Sequence, residues 1–340
     1  MTAALITGLS GTKLTKQERA FLSEVQPAGV ILFRRNVTDP ALIRPLVDDV
    51  RDAIGRDEVL VLIDQEGGRV QRLKPPAARN LPPGAAYAAL FQSDPERAKS
   101  AAFLVARLAA EELRGYGINT NCAPVLDVPV AGAHDVIGDR AYGDEPDQIV
   151  ALGREVANGY IAGGVVPVIK HIPGHGRATA DSHFDLPVVA TTHAVLSKTD
   201  FVPFKALAHM PAAMTAHVVY TALDPNHAAS ISKRVTHGII RGEIGFDGFL
   251  MSDDLSMKAL KGPMRQRAEE VIRSGSDVAL HCNGDMVEMH AAAEGVPELS
   301  GKAKARFAAA WAITRSVKSF DRDDALRHLA SLNGHKTPIV

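Results

Sequence analysis

Gly164-Val-Val-Pro-Val-Ile-Lys-His-Ile-Pro-Gly-His-Gly-Arg-Ala-Thr-Ala-Asp-Ser-His183 joins an apolar run directly to a reactive one. Gly164–Ile169 reads as a buried strand. From Lys170 to His183 there are three histidines, a lysine, an arginine and an aspartate, and Pro173, Gly174 and Gly176 exclude a regular helix or strand. Reactive side chains on a loop fixed at one end by the core are the pattern of a site rather than of packing.

The same pairing of a short apolar run with a polar end recurs along the chain. The runs are Ala4–Thr7, Gly29–Phe33, Val59–Ile63, Asn121–Leu126, Val165–Ile169, Ala212–Val218, Gly248–Met251 and Asp277–His281. Between them lie amphipathic stretches, including Ala41–Ile54, Glu96–Tyr116, Pro146–Ala162, Ala194–His209, Pro263–Ser274 and Asp285–Ser316. Alternation of strand and helix predicts a parallel sheet, and eight repeats predict an α/β fold of the closed (β/α)8 TIM type. The repeat is irregular before the fourth run, where a Pro-rich loop intervenes. No Gly-x-Gly-x-x-Gly or P-loop pattern follows the first run, which disfavours a nucleotide-binding open sheet. A single domain is expected: residues 1–318 as the barrel, and 319–340 as a tail or helix packed on it.

Composition narrows the class. The 340 residues carry 38 Lys plus Arg against 39 Asp plus Glu, with no basic stripe and interleaved aromatics, so nucleic acid is not an expected partner. Two cysteines, Cys122 and Cys282, sit in apolar runs, which suits a reducing compartment without disulfides. The N-terminus has no basic n-region, and its apolar run stops at Thr7-Gly8. A soluble, cytoplasmic monomer without a membrane partner is expected.

In such a barrel the site lies at the C-terminal strand ends. There the chain places Arg34-Arg35-Asn36, Asp64-Gln-Glu-Gly-Gly-Arg-Val-Gln-Arg72, Asp127, Gly138-Asp-Arg140, Lys170–His183, His217, Asp253-Asp254, and His281 with Asn283. Donors and acceptors of this kind suit a polyhydroxylated ligand. Each has a plainer reading on its own. Asp64 could be a turn residue, Arg140 a surface partner of Asp139, and Asp253-Asp254 a helix cap. Strand parity puts one of Asp253 and Asp254 toward the barrel axis without saying which. Joint occurrence at the strand ends favours a site.

These blocks resemble family 3 glycoside hydrolases, in the β-N-acetylglucosaminidase branch that acts in peptidoglycan recycling. The resemblance is carried by Lys170-His-Ile-Pro-Gly-His-Gly with Asp181-Ser-His183, Ile63–Arg72, Gly138–Arg140, Met214–His217, Met251–Met257 and Gly29–Asn36. It covers roughly residues 5 to 290 and is similar to the single-domain type. It implies retaining hydrolysis of terminal β-linked N-acetylglucosamine. Asp253 would be the nucleophile, His183 the acid/base and Asp181 its partner. Asp64, Arg72, Arg140, Lys170 and His171 would hold the sugar. The implied substrate is an N-acetylglucosamine-containing muropeptide or chitooligosaccharide, with no metal and no cofactor.

Three rivals stand beside this reading. A metal-dependent hydrolase would use His171, His175, His183, His217 and Asp253, although Pro173-Gly174 prevents His171 and His175 from forming a helical pair. Phosphorolysis would use the same histidine acid. A sugar-binding protein would keep the pocket without the chemistry.

Overall fold

In the computed structural model, which describes residues 1–180 and 186–332, eight parallel strands close into a barrel. They are β1 (Ala3–Gly8), β2 (Pro27–Leu32), β3 (Leu60–Ile63), β4 (Thr120–Asn121), β5 (Val166–Ile172), β6 (Ala212–Thr215), β7 (Phe249–Asp254) and β8 (Val278–His281), each paired with its sequence neighbour and β8 with β1. The helices between them are α1 (Lys16–Val25), α2 (Pro40–Ile54), α3 (Gly84–Ser93), α4 (Pro95–Gly115), α5 (Pro146–Ala162), α6 (His193–Lys198), α7 (Phe201–Ala206) and α8 (Met264–Ser274). A π-type helix over Val235–Glu243 joins β6 to β7. Three more helices follow β8: α9 (Met286–Glu294), α10 (Gly301–Ile313) and α11 (Arg322–Leu332).

Helix α2 shows why the outer layer forms where it does. Asp39 caps it by accepting from the Ala41 N–H at 2.9 Å, Pro40 fills the first turn, and Gly55 ends it at φ 74°. Ile43, Leu46, Val47, Val50 and Ile54 recur at helical spacing and are buried against the strands. Helix α1 begins with a reciprocal cap between Thr15 and Glu18.

The strands sort their side chains by parity. Ile6, Leu62, Val166, Val168, Phe249, Met251 and Leu280 fill the barrel interior, while Leu5, Val61, Ile63, Ile169 and Leu250 pack on the helices. The interior set stops one layer below the C-terminal mouth. Continuing each strand by two residues from Leu62 and Val168 lands on Asp64 and Lys170. The hydrophobic alternation that closes the barrel therefore also points polar groups into its mouth.

Strand β4 is shorter than the Asn121–Leu126 run suggests. Pro124 has no N–H to donate, and beyond Asn121 only Val125 makes an isolated bridge, to Lys170. The Asn121 side chain supplies the missing ladder, accepting from Gln65 N and donating to Gln65 O, both at 2.9 Å. The Asp285–Ser316 stretch forms two helices, because Gly295 ends α9 and Pro297 follows. Ala194–His209 divides likewise into α6 and α7. Helix α11 lies against α4, with Arg322 3.6 Å from Glu111 and Ala325 and Leu329 buried. Cys122 and Cys282 are both buried free thiols. Among the described residues no helix is long and apolar enough to cross a membrane.

Candidate active site

The mouth of the barrel opens into a cavity of about 290 Å³. Ile31, Met214 and Leu280 form its floor. Asp64, Arg72, Arg140, Lys170, His171 and Asp253 line it, with Glu66 and His175. Six residues singled out in the sequence thus converge, although they lie on four separate stretches of chain. Asp181 and His183 lie outside the described residues.

Lys170 is the centre of the charged wall. Its Nζ lies 2.9 Å from Asp64 Oδ1 and 2.6 Å from Glu66 Oε1, and its side chain is 3% exposed. Arg72 donates to the other Asp64 oxygen at 2.9 Å, and Arg140 grips Glu66 with two bonds of 2.8 Å. Burial alone would raise the carboxyl pKa values. The Lys170 and Arg72 cations reverse this for Asp64 and hold it well below the carboxylate range. Arg140 and Lys170 pull Glu66 down to about 2. Burial would lower Lys170, but Asp64 and Glu66 together hold it above the usual lysine value. All three groups are charged at neutral pH and already paired with one another without a ligand.

Glu66 was not among the residues the sequence singled out. A signal was present, since Asp64 and Glu66 are two apart and an extended segment puts both on one face. Gln65 between them faces the other way. Its Oε1 accepts from the N–H of Arg72 and Leu73, which fixes the return of the chain that carries Arg72. Arg140 does not pair with Asp139, as its sequence position suggests; Asp139 instead takes Arg69 at 2.7 Å.

Because the folded Glu66 pKa lies below its ordinary 4.5, the linked stability is present above that pH and is lost as pH falls toward about 2. Glu66→Gln should remove this part of the acid dependence, on the order of 3 kcal/mol, because one pKa unit is about 1.4 kcal/mol. Urea unfolding at pH 7 and at several pH values below 4.5 checks it. The gap between wild type and variant should shrink as pH falls; a constant gap would mean the charge is not what Glu66 contributes.

The second wall comes from Asp127, which is fully buried. Its Oδ1 accepts from the backbone N–H of His171 and His175, and its Oδ2 lies 2.7 Å from His171 Nδ1. Burial opposes the ionised form, yet His171 and His175 bring Asp127 down to about 2. An ionised acceptor makes His171 Nδ1 the donor, so the ring presents Nε2 to the cavity. Burial and the neighbouring His171 push His175 down to about 4, so it is neutral at pH 7. Strand β5 carries a bulge between Lys170 and Ile172, which brings His171 into the mouth beside Lys170.

A second bulge lies at the aspartate pair. Met251 aligns with Val278 and Asp254 with Leu280, so β7 has one residue more than β8 across this step. Simple alternation fails here, and both Asp253 and Asp254 border the cavity. They are not equivalent. Asp254 Oδ1 accepts from Ser256 N at 2.9 Å and Cys282 N at 3.0 Å, and its Oδ2 takes the Ser256 hydroxyl at 2.5 Å. Asp254 therefore has the capping role. Asp253 Oδ1 accepts from the Asp254 N–H at 2.8 Å.

His217 is fully buried behind this pair rather than in the cavity. Its Nε2 lies 3.0 Å from the Asp254 carbonyl, which can only accept, so Nε2 carries the proton. Nδ1 then accepts from the Ser230 hydroxyl at 2.7 Å. The ring pins the end of β7. Among the described residues no three His, Cys, Asp or Glu side chains converge as metal ligands.

Comparison with known proteins gives this geometry its family. The model of the glycosyl hydrolase family 3 N-terminal domain matches residues 4–314. The chain belongs to glycosyl hydrolase family 3. A β-hexosaminidase of Alkalilimnicola ehrlichii is 40% identical over 283 residues, covering 82% of this chain and 80% of that protein. Native NagZ of Neisseria gonorrhoeae superposes with a TM-score of 0.86 at 29% identity, over 98% of both chains. The same NagZ in complex with N-trifluoroacetyl-D-glucosamine gives 0.86 at 30% identity, over 97% of this chain and 98% of that one. The family 3 chain is thus a glycoside hydrolase of the β-hexosaminidase type, on a (β/α)8 barrel.

Proposed function

We propose that this chain is a retaining exo-β-N-acetylglucosaminidase that works through a covalent glycosyl-Asp253 intermediate. The observation that carries the reading is one cavity at the barrel mouth that a hydrogen-bonded aspartate lines together with a cluster of paired charges suited to sugar hydroxyls. The β-hexosaminidase relatives and the N-acyl-glucosamine bound to NagZ support the choice of sugar.

Asp64, Arg72, Arg140, Lys170 and His171 hold the terminal sugar, and Glu66 holds Lys170 and Arg140 in place. Asp253 attacks the anomeric carbon as the bond to the leaving oxygen breaks. His183 gives its proton to that oxygen, with Asp181 orienting the ring and stabilising the imidazolium. Once the aglycone leaves, neutral His183 takes a proton from water, which attacks the anomeric carbon and releases Asp253. A histidine suits the role because its ordinary pKa of about 6.5 lies near neutral pH. The aglycone we propose is an anhydro-muropeptide fragment of cell-wall recycling, handled in the cytoplasm by a monomer without metal or cofactor. This rests on the motif resemblance.

The experiment is leaving-group dependence in His183→Ala. With an alkyl or sugar aglycone that needs protonation, kcat/KM should fall about 10²–10⁴-fold. With a nitrophenolate, which leaves without a proton, the fall should be roughly tenfold or less. Equal losses on both substrates would remove His183 from the acid role.

A further inference from the structure

We propose that a second cavity, at the opposite end of the barrel from the active site, binds a small oxyanion, with a phosphate or phosphomonoester as the fitting class. It has a volume of about 260 Å³ and lies between α2, the C-terminal end of α4 and the C-terminal end of α10. Arg44, Arg51, Arg114 and Arg315 line it together with the Trp311 ring, and no carboxylate does. A shallower depression continues outward from Arg44, Arg51 and Trp311, and there Asp48, Asp52 and Asp57 form the edge.

Three of the four guanidinium groups, those of Arg44, Arg51 and Arg114, are held in place yet keep donors to spare. Arg51 Nη2 donates to the Gly117 carbonyl at 2.8 Å. Arg114 Nη1 donates to the carbonyls of Thr314 at 2.9 Å and Gly164 at 3.1 Å, which ties the end of α10 to the turn before β5. Arg44 gives its Nε to Asp48, at 2.9 Å from each oxygen. Asp48 reaches Arg51 only at 3.8 Å. Among the described residues, Arg114 Nη2 and Nε and the Arg315 guanidinium make no hydrogen bond or ion pair, while the Arg315 backbone N–H donates to the Ala312 carbonyl at 3.2 Å. Four cations thus line the cavity itself, while the nearby carboxylates, Asp48, Asp52 and Asp57, stand at its outer edge. Burial, and then the Arg44 charge, push Arg51 below its ordinary value against the opposing pull of Asp48 and Asp57.

An oxyanion supplies what the cluster lacks. Planar guanidinium forks match the spacing of phosphate oxygens, and several converging on one cavity favour a doubly charged group over a single carboxylate. The aspartates at the outer edge repel a second phosphate, which sets the class at one phosphoryl group. None of these residues belongs to the proposed catalytic machinery.

Trp311 is the only tryptophan in the chain, and it lines this cavity and the depression outside it, so its fluorescence reports on this end of the barrel. The test titrates inorganic phosphate at constant ionic strength into wild type and into Arg44→Ala/Arg315→Ala, with and without saturating N-acetylglucosamine. Glucose 1-phosphate serves as the phosphomonoester. A saturable change in wild type at millimolar phosphate or below, weakened at least about tenfold in the double variant and indifferent to N-acetylglucosamine, is expected. No saturable change up to about 20 mM would overturn the site. So would an unchanged affinity in the double variant, or loss of the signal when N-acetylglucosamine fills the active site. The glycosidase activity of the double variant should equal that of wild type.

Discussion

Replacing Asp253 with alanine should lower kcat by roughly 10⁴-fold or more, with little change in fold or in affinity for N-acetylglucosamine. The carboxylate is the bond-forming group of the proposed first step, and no neighbour can substitute. Asp254 is adjacent, but its oxygens already serve Ser256 and Cys282. Asp254→Ala should therefore act differently. It removes the acceptor of two backbone N–H groups at the end of β7, and the loss should appear first in the unfolding midpoint. Turnover kinetics with urea unfolding on both variants separate the roles. If Asp253→Ala keeps substantial turnover while Asp254→Ala keeps its stability and loses all activity, the assignment must be exchanged.

Lys170→Met is the second large effect, and it should be seen in stability as well as in binding. Methionine fills most of the lysine volume but leaves Asp64 and Glu66 facing each other without the ammonium between them. Removing one partner from a buried charged cluster costs about 3–5 kcal/mol, because the remaining charges stay desolvated. Arg72 and Arg140 each retain one carboxylate, which places the expectation toward the lower end of that range. The loss should diminish as pH falls below the ordinary carboxyl range, where protonation removes the repulsion. Adding Asp64→Asn to Lys170→Met should recover part of the stability without recovering sugar binding. Urea unfolding midpoints for the single and double variants measure this. A cost below about 1 kcal/mol would mean that water reaches the cluster and screens it.

The barrel was legible because each strand announces itself as a short apolar run, and the polar group after it marks the mouth. The helix breaks were less so. Asp285–Ser316 carries a continuous helical pattern, and only the Gly295–Pro297 pair tells against one long helix. The site was legible as a set of strand ends, but not as a network. Glu66 was passed over because a carboxylate beside Gly67-Gly68 reads as part of a turn, and only the partner charges of Arg140 and Lys170 show its work. The choice between Asp253 and Asp254 was beyond parity, because the bulge in β7 breaks the alternation on which parity relies. Bulges depend on the register of the neighbouring strand, which a single sequence does not display. Arg140 misleads in the same way: its partner is 74 residues away, and its sequence neighbour Asp139 belongs to Arg69.

The central claim is that Asp253 forms a covalent bond to the sugar. A 5-fluoro N-acetylglucosaminide with a good leaving group slows release of the glycosyl-enzyme more than its formation. Mass spectrometry of the intact chain, followed by peptide mapping, then reports the labelled residue. The account predicts one sugar per chain, on the peptide containing Met251–Met257 and at Asp253 within it. A label at another residue, or steady hydrolysis of a slow substrate with no label accumulating, would contradict it.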